Sequence, residues 1–191
     1  MNDRLFELLN DMAGRFDSVD DWMEFFAQDM IWLMLGIVVI LWFTGKTSNQ
    51  KLAFFSGLSA ALSLLLASWL VSPMANHPRP FVGHTVHLLI RHAADPSFPS
   101  DHATLAFSLA FSVLFVKRRL GTLLLAMAVL VGISRIYVGV HYPGDILGAM
   151  LLSGIIAFAV RKNRERMDGL SMIFIRLYRK LTGKLKFLPH S

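Results

Sequence analysis

LGTLLLAMAVLVGISRIYVGVHYPGDILGAMLLSGIIAFAV, residues 120–160, decides the fold. Two apolar runs, Leu120 to Ile133 continuing toward Val140 and Pro143 to Val160, are each suited to a helix through a hydrocarbon layer. Pro143 fits the first turn of the second helix. The connection between them holds Ser134, Arg135, His141 and Asp145, groups that are costly near lipid and are seldom placed there for packing.

The rest of the chain repeats this pattern. Of its 191 residues 54% are apolar and its mean hydropathy is +0.52, above what a soluble domain of this size carries, so the chain is read as a membrane protein. Three further spans are expected. The first covers Met30 to Phe43, extended backward through Trp22, Phe25 and Phe26 to reach the required length. The second is Leu52 to Val71, with Gly57, Ser59, Ala60, Ser63 and Ala67 at spacings that let helices approach closely. The third, Ala103 to Val116, is short even when begun at Ser100, so its end should lie in a protein-lined recess. The fold class is therefore all-α, a polytopic membrane helical bundle of about five transmembrane helices.

Amphipathic segments flank this core. Leu5, Leu8, Leu9, Met12 and Phe16 share one helical face, which suggests an interfacial helix over residues 1–20. From Met172 to Phe187, Ile173, Leu177, Leu181 and Leu185 alternate with five basic residues, as in a basic tail lying on an inner leaflet. Residues 1–21 carry six acidic residues, two arginines and no apolar stretch before a cleavage-type site, so no cleavable signal is expected. No repeat or long linker divides the chain. It is read as a single domain over 1–191, with the transmembrane core at 22–160 and a basic cytoplasmic tail at 161–191. Without cysteine it has no disulfide or thiolate chemistry.

A formal charge of +6 would suit nucleic acid, anionic lipid or a phosphorylated substrate, and the location of the charges separates these. Loops 44–51 and 116–120 and the C-terminal tail hold 14 of the 19 Lys and Arg, whereas the N-terminus and the 72–102 and 134–142 connections hold five. The positive-inside bias puts the first group in the cytoplasm and the second outside, which points to membrane topology and not to a nucleic-acid partner.

Two more chemical clusters lie on that outer side. Arg79-Pro80 is extended by the proline, and Pro99-Ser100-Asp101-His102 opens the third span. Ser100 and Asp101 are good caps, and the first turn of a helix there offers free N–H groups to an anion. His141 and Asp145 are four residues apart, so the carboxylate can reach one ring nitrogen and fix the tautomer of the other. Each cluster has an ordinary structural explanation when taken alone. Their convergence on one membrane face is what points to phosphate chemistry.

The three clusters resemble the signature of the type 2 phosphatidic-acid phosphatase superfamily, Lys-x6-Arg-Pro, Pro-Ser-Gly-His and Ser-Arg-x5-His-x3-Asp, with the third matched in residues and spacing. Asp101 in the glycine position, His84-Thr85-Val86-His87 and the His92 to His102 segment are more particularly similar to the undecaprenyl-pyrophosphate phosphatases of the BcrC type. The resemblance implies His141 as nucleophile, Asp145 as its orienting acid and His102 as the proton donor to the leaving lipid phosphate. Arg79, Ser100 and Arg135 would hold the phosphoryl oxygens, with Asp101 a possible addition. It implies a lipid pyrophosphate substrate, no cofactor and no metal, and a bacterial plasma membrane with the site outside. His84 and His87 could suggest a metal at i, i+3, but no adjacent carboxylate completes a site. Other lipid phosphates, such as phosphatidylglycerol phosphate or phosphatidic acid, fit the same motifs. A non-enzymatic transporter subunit that binds a pyrophosphate headgroup would need the arginines but not the His141–Asp145 pair.

The chain departs from the signature at Ser72, where the first motif has lysine. Like a protonated His77 or His92, Arg91, in the same connection, is a candidate replacement cation. If it fills that role, Arg91→Ala lowers turnover or weakens substrate binding, and unchanged steady-state kinetics would remove it from the site.

Overall fold

The computed structural model describes residues 2–182, and within them every regular element is helical. The expected all-α bundle is therefore the observed one. Its elements are α1 (Asn2–Asn10), α2 (Asp17–Gln28), α3 (Met30–Phe43), α4 (Thr47–Leu66), a π-helical turn (Ala67–Val71), α5 (Ser72–Ala75), α6 (Pro80–Gly83), α7 (Asp101–Leu114), α8 (Arg118–Tyr137), α9 (Pro143–Lys162) and α10 (Asp168–Thr182).

Three helices are long and apolar enough to cross a membrane, namely α8, α9 and the α4 helix with its continuation; α2 and α3 qualify jointly as a bent fourth. The fifth expected span, α7, has 14 residues and is about 21 Å long. It is shorter than a hydrocarbon core because it is the centre of the bundle, enclosed by α4, α8 and α9. Ala103, Ala106 and Ala110 are fully buried on it, and these small side chains let the surrounding helices come close. Large apolar side chains point the other way on the outer helices: Trp32 and Ile40 on α3, Leu151, Ile155 and Phe158 on α9 are all exposed, as lipid-facing surfaces require.

Two sequence readings need correction. The first span is not one straight helix, because α2 and α3 meet at Asp29 with a 45° bend. The bend lets α2 pack over α8, where the Asp20 carboxylate accepts from Tyr137 Oη at 2.7 Å and from the Gly14 amide at 3.0 Å. In the N-terminal segment, the helix expected over residues 1–20 is interrupted, α1 ending at Asn10 and α2 beginning at Asp17; Phe6 and Asn10 are turned into the protein, and Leu5, Leu8 and Met12 of the expected stripe are exposed. Periodicity found the apolar stripe, but the anchoring residue is polar. At the opposite end of the chain, α10 packs on α4 and inserts Ile175, with Ile173, Leu177 and Leu181 exposed; residues 183–187 of the expected tail helix lie outside the described residues.

The connection from α8 to α9 turns at Gly139, whose φ of +87° is a left-handed conformation that favours glycine. A Cβ there would also lie 2.8 Å from the His87 carbonyl oxygen. Gly139→Ala should therefore lower stability by about 1–3 kcal/mol and displace His141. Thermal unfolding in detergent and turnover, measured on the same sample, check both.

Candidate active site

His141 follows the Gly139 turn and is only 1% exposed, with its two ring nitrogens in opposite surroundings. Arg79 Nη1 is 3.0 Å from Nε2. A guanidinium can only donate, so Nε2 accepts and the proton resides on Nδ1. On that side lie Asp145 Oδ2 at 3.4 Å and Ser97 Oγ at 3.3 Å. Burial, reinforced by the charges of Arg135 and Arg79, pushes the His141 pKa down to about 3 against the opposing pull of Asp145. The ring is thus neutral, with its unprotonated Nε2 turned to Arg79.

Asp145 is held by the start of α9. Its Oδ2 accepts from the Tyr142 amide at 2.8 Å and from Ser97 Oγ at 2.5 Å. The same residue's carbonyl accepts from the Ser100 amide at 3.4 Å, which ties the first turn of α9 to the first turn of α7. Phe98 packs against α9 at Gly148, where a Cβ would collide with its ring. Loop 97–100 is therefore fixed against α9 at both levels, backbone and side chain.

Arg79, 4% exposed, is oriented by Asp95: Nε donates to Oδ1 at 2.9 Å and to the Asp95 carbonyl at 3.2 Å, while Nη1 also donates to the Val140 carbonyl at 3.0 Å. Burial raises the Asp95 pKa, but the hydrogen bond and charge of Arg79 outweigh it and hold the carboxyl below its usual range. His92 pairs with the same carboxylate at 3.5 Å and places its ring 6.2 Å from that of His141. Its pKa is lowered by burial and by Arg79 and Arg135. Arg135 is 1% exposed and donates from Nη1 to the Ala27 carbonyl at 3.3 Å, the bond that the α2 bend makes possible. Its Nε and Nη2 have no hydrogen-bond partner among the described residues.

The remaining sequence candidates lie close by. Ser100 caps α7, its Oγ accepting from the Ala103 amide, and His102 follows in the first turn, half-buried, so that burial first and then the charges of Arg135, His92 and Arg79 act on its ring. Asp101 is exposed at the same helix start. Ser134 donates to the Val131 carbonyl at 2.8 Å inside its own helix. Arg91 is exposed and forms no hydrogen bond or ion pair among the described residues, while Ser72 is half-buried just after the π turn. Sequence reasoning missed Asp95 and Ser97. The only signal for either was a carboxylate and a hydroxyl just before Pro99-Ser100, in a loop with no periodicity to place them.

The arrangement can do nucleophilic phosphate chemistry: a neutral, oriented imidazole, a second histidine, and two buried guanidiniums beside a helix N-terminus. Comparison with known proteins agrees with it. The model of the PAP2 superfamily matches residues 53–167, which include all three clusters. Undecaprenyl-diphosphatase BcrC of Bacillus subtilis is 34% identical over 189 residues, covering 99% of this chain and 97% of that protein. The putative undecaprenyl-diphosphatase YbjG of Escherichia coli is 38% identical over 157 residues, 82% of this chain and 78% of the relative. The crystal structure of Aquifex aeolicus LpxE superposes with a TM-score of 0.67 at 27% identity, over 84% of this chain and 94% of that one. With a bundle of membrane-spanning length and this site at one end of it, the chain belongs to the PAP2 superfamily as a membrane-embedded lipid phosphatase.

Proposed function

We propose that the protein removes the terminal phosphate of undecaprenyl pyrophosphate at the outer face of a bacterial plasma membrane, returning undecaprenyl phosphate to the carrier pool for cell-wall synthesis. The observation that carries the chemistry is the His141 ring, neutral, with Nδ1 turned to Asp145 and Ser97 and Nε2 beside Arg79. The choice of lipid is supported by the names of two relatives that each match most of this chain. The outward orientation is supported by the positive-inside bias, since Lys46, Lys117, Arg118 and Arg119 belong to the helix ends opposite the site. Depleting the pyrophosphate lipid, which bacitracin captures, would lower sensitivity to that antibiotic.

In this mechanism His141 Nε2 attacks the terminal phosphorus as the bond to the bridging oxygen breaks, and His102 gives that oxygen a proton. A phosphohistidine and undecaprenyl phosphate result. Water then attacks the phosphohistidine with His102 as base, which frees inorganic phosphate and restores His141. Arg79, Arg135, Ser100 and the first amides of α7 hold the phosphoryl oxygens while charge redistributes. Asp145 stabilises the ring as it becomes positive. Asp95 and Ser97 position Arg79 and the His141–Asp145 pair.

Four outcomes are expected. His141→Ala abolishes phosphate release, by on the order of 10³-fold or more. Ser97→Ala loses one hydrogen bond on the Asp145 side and lowers kcat by about tenfold. With chelator present, purified protein releases phosphate faster from a prenyl pyrophosphate than from phosphatidylglycerol phosphate or phosphatidic acid; the reverse order would move the assignment to a glycerolipid. Because the folded His141 pKa is about 3 and its ordinary value is 6.5, the unfolded chain binds the extra proton between these values. Stability from this site is complete above about pH 6.5 and declines toward pH 3, and His141→Gln flattens that acid limb in thermal melts.

A further inference from the structure

A cavity of about 310 Å³ lies at the end of the bundle remote from His141, between α4, α7 and α9. The polar residues at its mouth are Thr47, Ser48, Lys51, Arg161 and Arg164. Lys51 is already neutralised by Asp168, with Nζ 2.6 Å from Oδ1. Arg161 donates to the Phe115 carbonyl and lies over the Phe115 ring, 5.3 Å from its centroid, but pairs with no acid among the described residues. Arg164 forms no hydrogen bond or ion pair through its side chain among the described residues. Two guanidiniums at one cavity thus lack a counter-charge. The N-terminus of α4, a helix of 20 residues, opens into the same space at Thr47 and Ser48 and adds the positive end of its dipole.

Deeper in, the character changes. Phe55, Val116 and Val160 form an apolar wall, and Ser112 on α7, whose buried Oγ has no hydrogen-bond partner among the described residues, is also part of the lining. A cationic mouth over an apolar wall, at the membrane-boundary end of transmembrane helices, matches one chemistry: a phosphodiester headgroup with acyl chains running down the bundle.

We infer that this cavity binds an anionic phospholipid of the leaflet opposite the active site, with the phosphodiester on Arg161, Arg164 and the start of α4, and an acyl chain along Phe55 and Val160. The site is separate from the reaction, since a phosphodiester offers a phosphatase no terminal phosphate to remove. It does not depend on which lipid the active site hydrolyses, nor on which way the protein faces.

The test compares wild-type protein with Ser48→Glu and Arg164→Gln in native mass spectrometry, from detergent doped with phosphatidylglycerol or phosphatidylcholine. Ser48 is exposed at the start of α4, where a glutamate suits the helix dipole but places a negative charge at the mouth. Arg164 has no side-chain partner to lose, so both variants should fold, and phosphatase turnover in detergent should stay at the wild-type level. The expected result is one phosphatidylglycerol retained per wild-type chain under conditions that strip phosphatidylcholine, with retention at least fivefold lower in each variant. Equal retention of the two lipids, or retention unchanged in both variants, overturns the inference; the second outcome would assign the bound lipid to the active site. A thermal shift with inorganic phosphate alone as large as that with phosphatidylglycerol, and lost in Ser48→Glu, would assign the cavity to free phosphate and also overturn it.

Discussion

Two guanidiniums buried at one end of an apolar bundle set the conditions that the rest of the site meets. Taking Arg79 and Arg135 out of water costs several kcal/mol each unless acceptors surround them. Arg79 obtains a carboxylate and two carbonyls, from Asp95 and Val140, and these come from two separate connections that must therefore converge. Arg135 obtains the Ala27 carbonyl, which requires α2 to bend over α8. Burial keeps His141 unprotonated and their charge adds to it, so the field that would hold a phosphoryl group also favours the neutral ring that would attack it.

A short central helix follows from the same demand. Because α7 stops after 14 residues, its capped N-terminus and the loop before it lie within the bundle, shielded from lipid by longer neighbours. Ser97, Ser100 and Asp145 can then bond one another away from water. The long apolar helices thus serve the chemistry by exceeding the one they surround, leaving a protein-walled recess where hydrogen-bonding backbone is tolerable at membrane depth.

Much of this was legible in the sequence because the relevant spacings are local. Ser134 to Asp145 lie on one hairpin end, and the four-residue step from His141 to Asp145 brings them together whatever else the chain does. Apolar run lengths gave the helices for the same reason. Asp95, Ser97, Asn10 and Asp20 escaped notice because each acts through polar contacts to residues outside its own helix, with no repeating spacing. The bond from Asn10 to the Tyr137 carbonyl spans 127 residues, and the one from Arg79 to Val140 spans 61. No periodicity marks such pairs. The Asp29 bend was invisible too, since both halves of the span are apolar enough to read as one helix.

Asn10 closes the widest of these circuits. Its side-chain amide donates to the His87 and Tyr137 carbonyls, at 2.8 Å each, and its oxygen accepts from the His87 amide at 2.9 Å, clasping the first helix to the connections around the site. The partner at Tyr137 is made only after four of the five apolar segments have been synthesised. The clasp on the N-terminal segment can therefore form at His87 first and close at Tyr137 only as the bundle assembles. The outer shell of the site is completed late in biogenesis, so a chain arrested before α8 would carry Arg79 and His102 without the frame that aligns them.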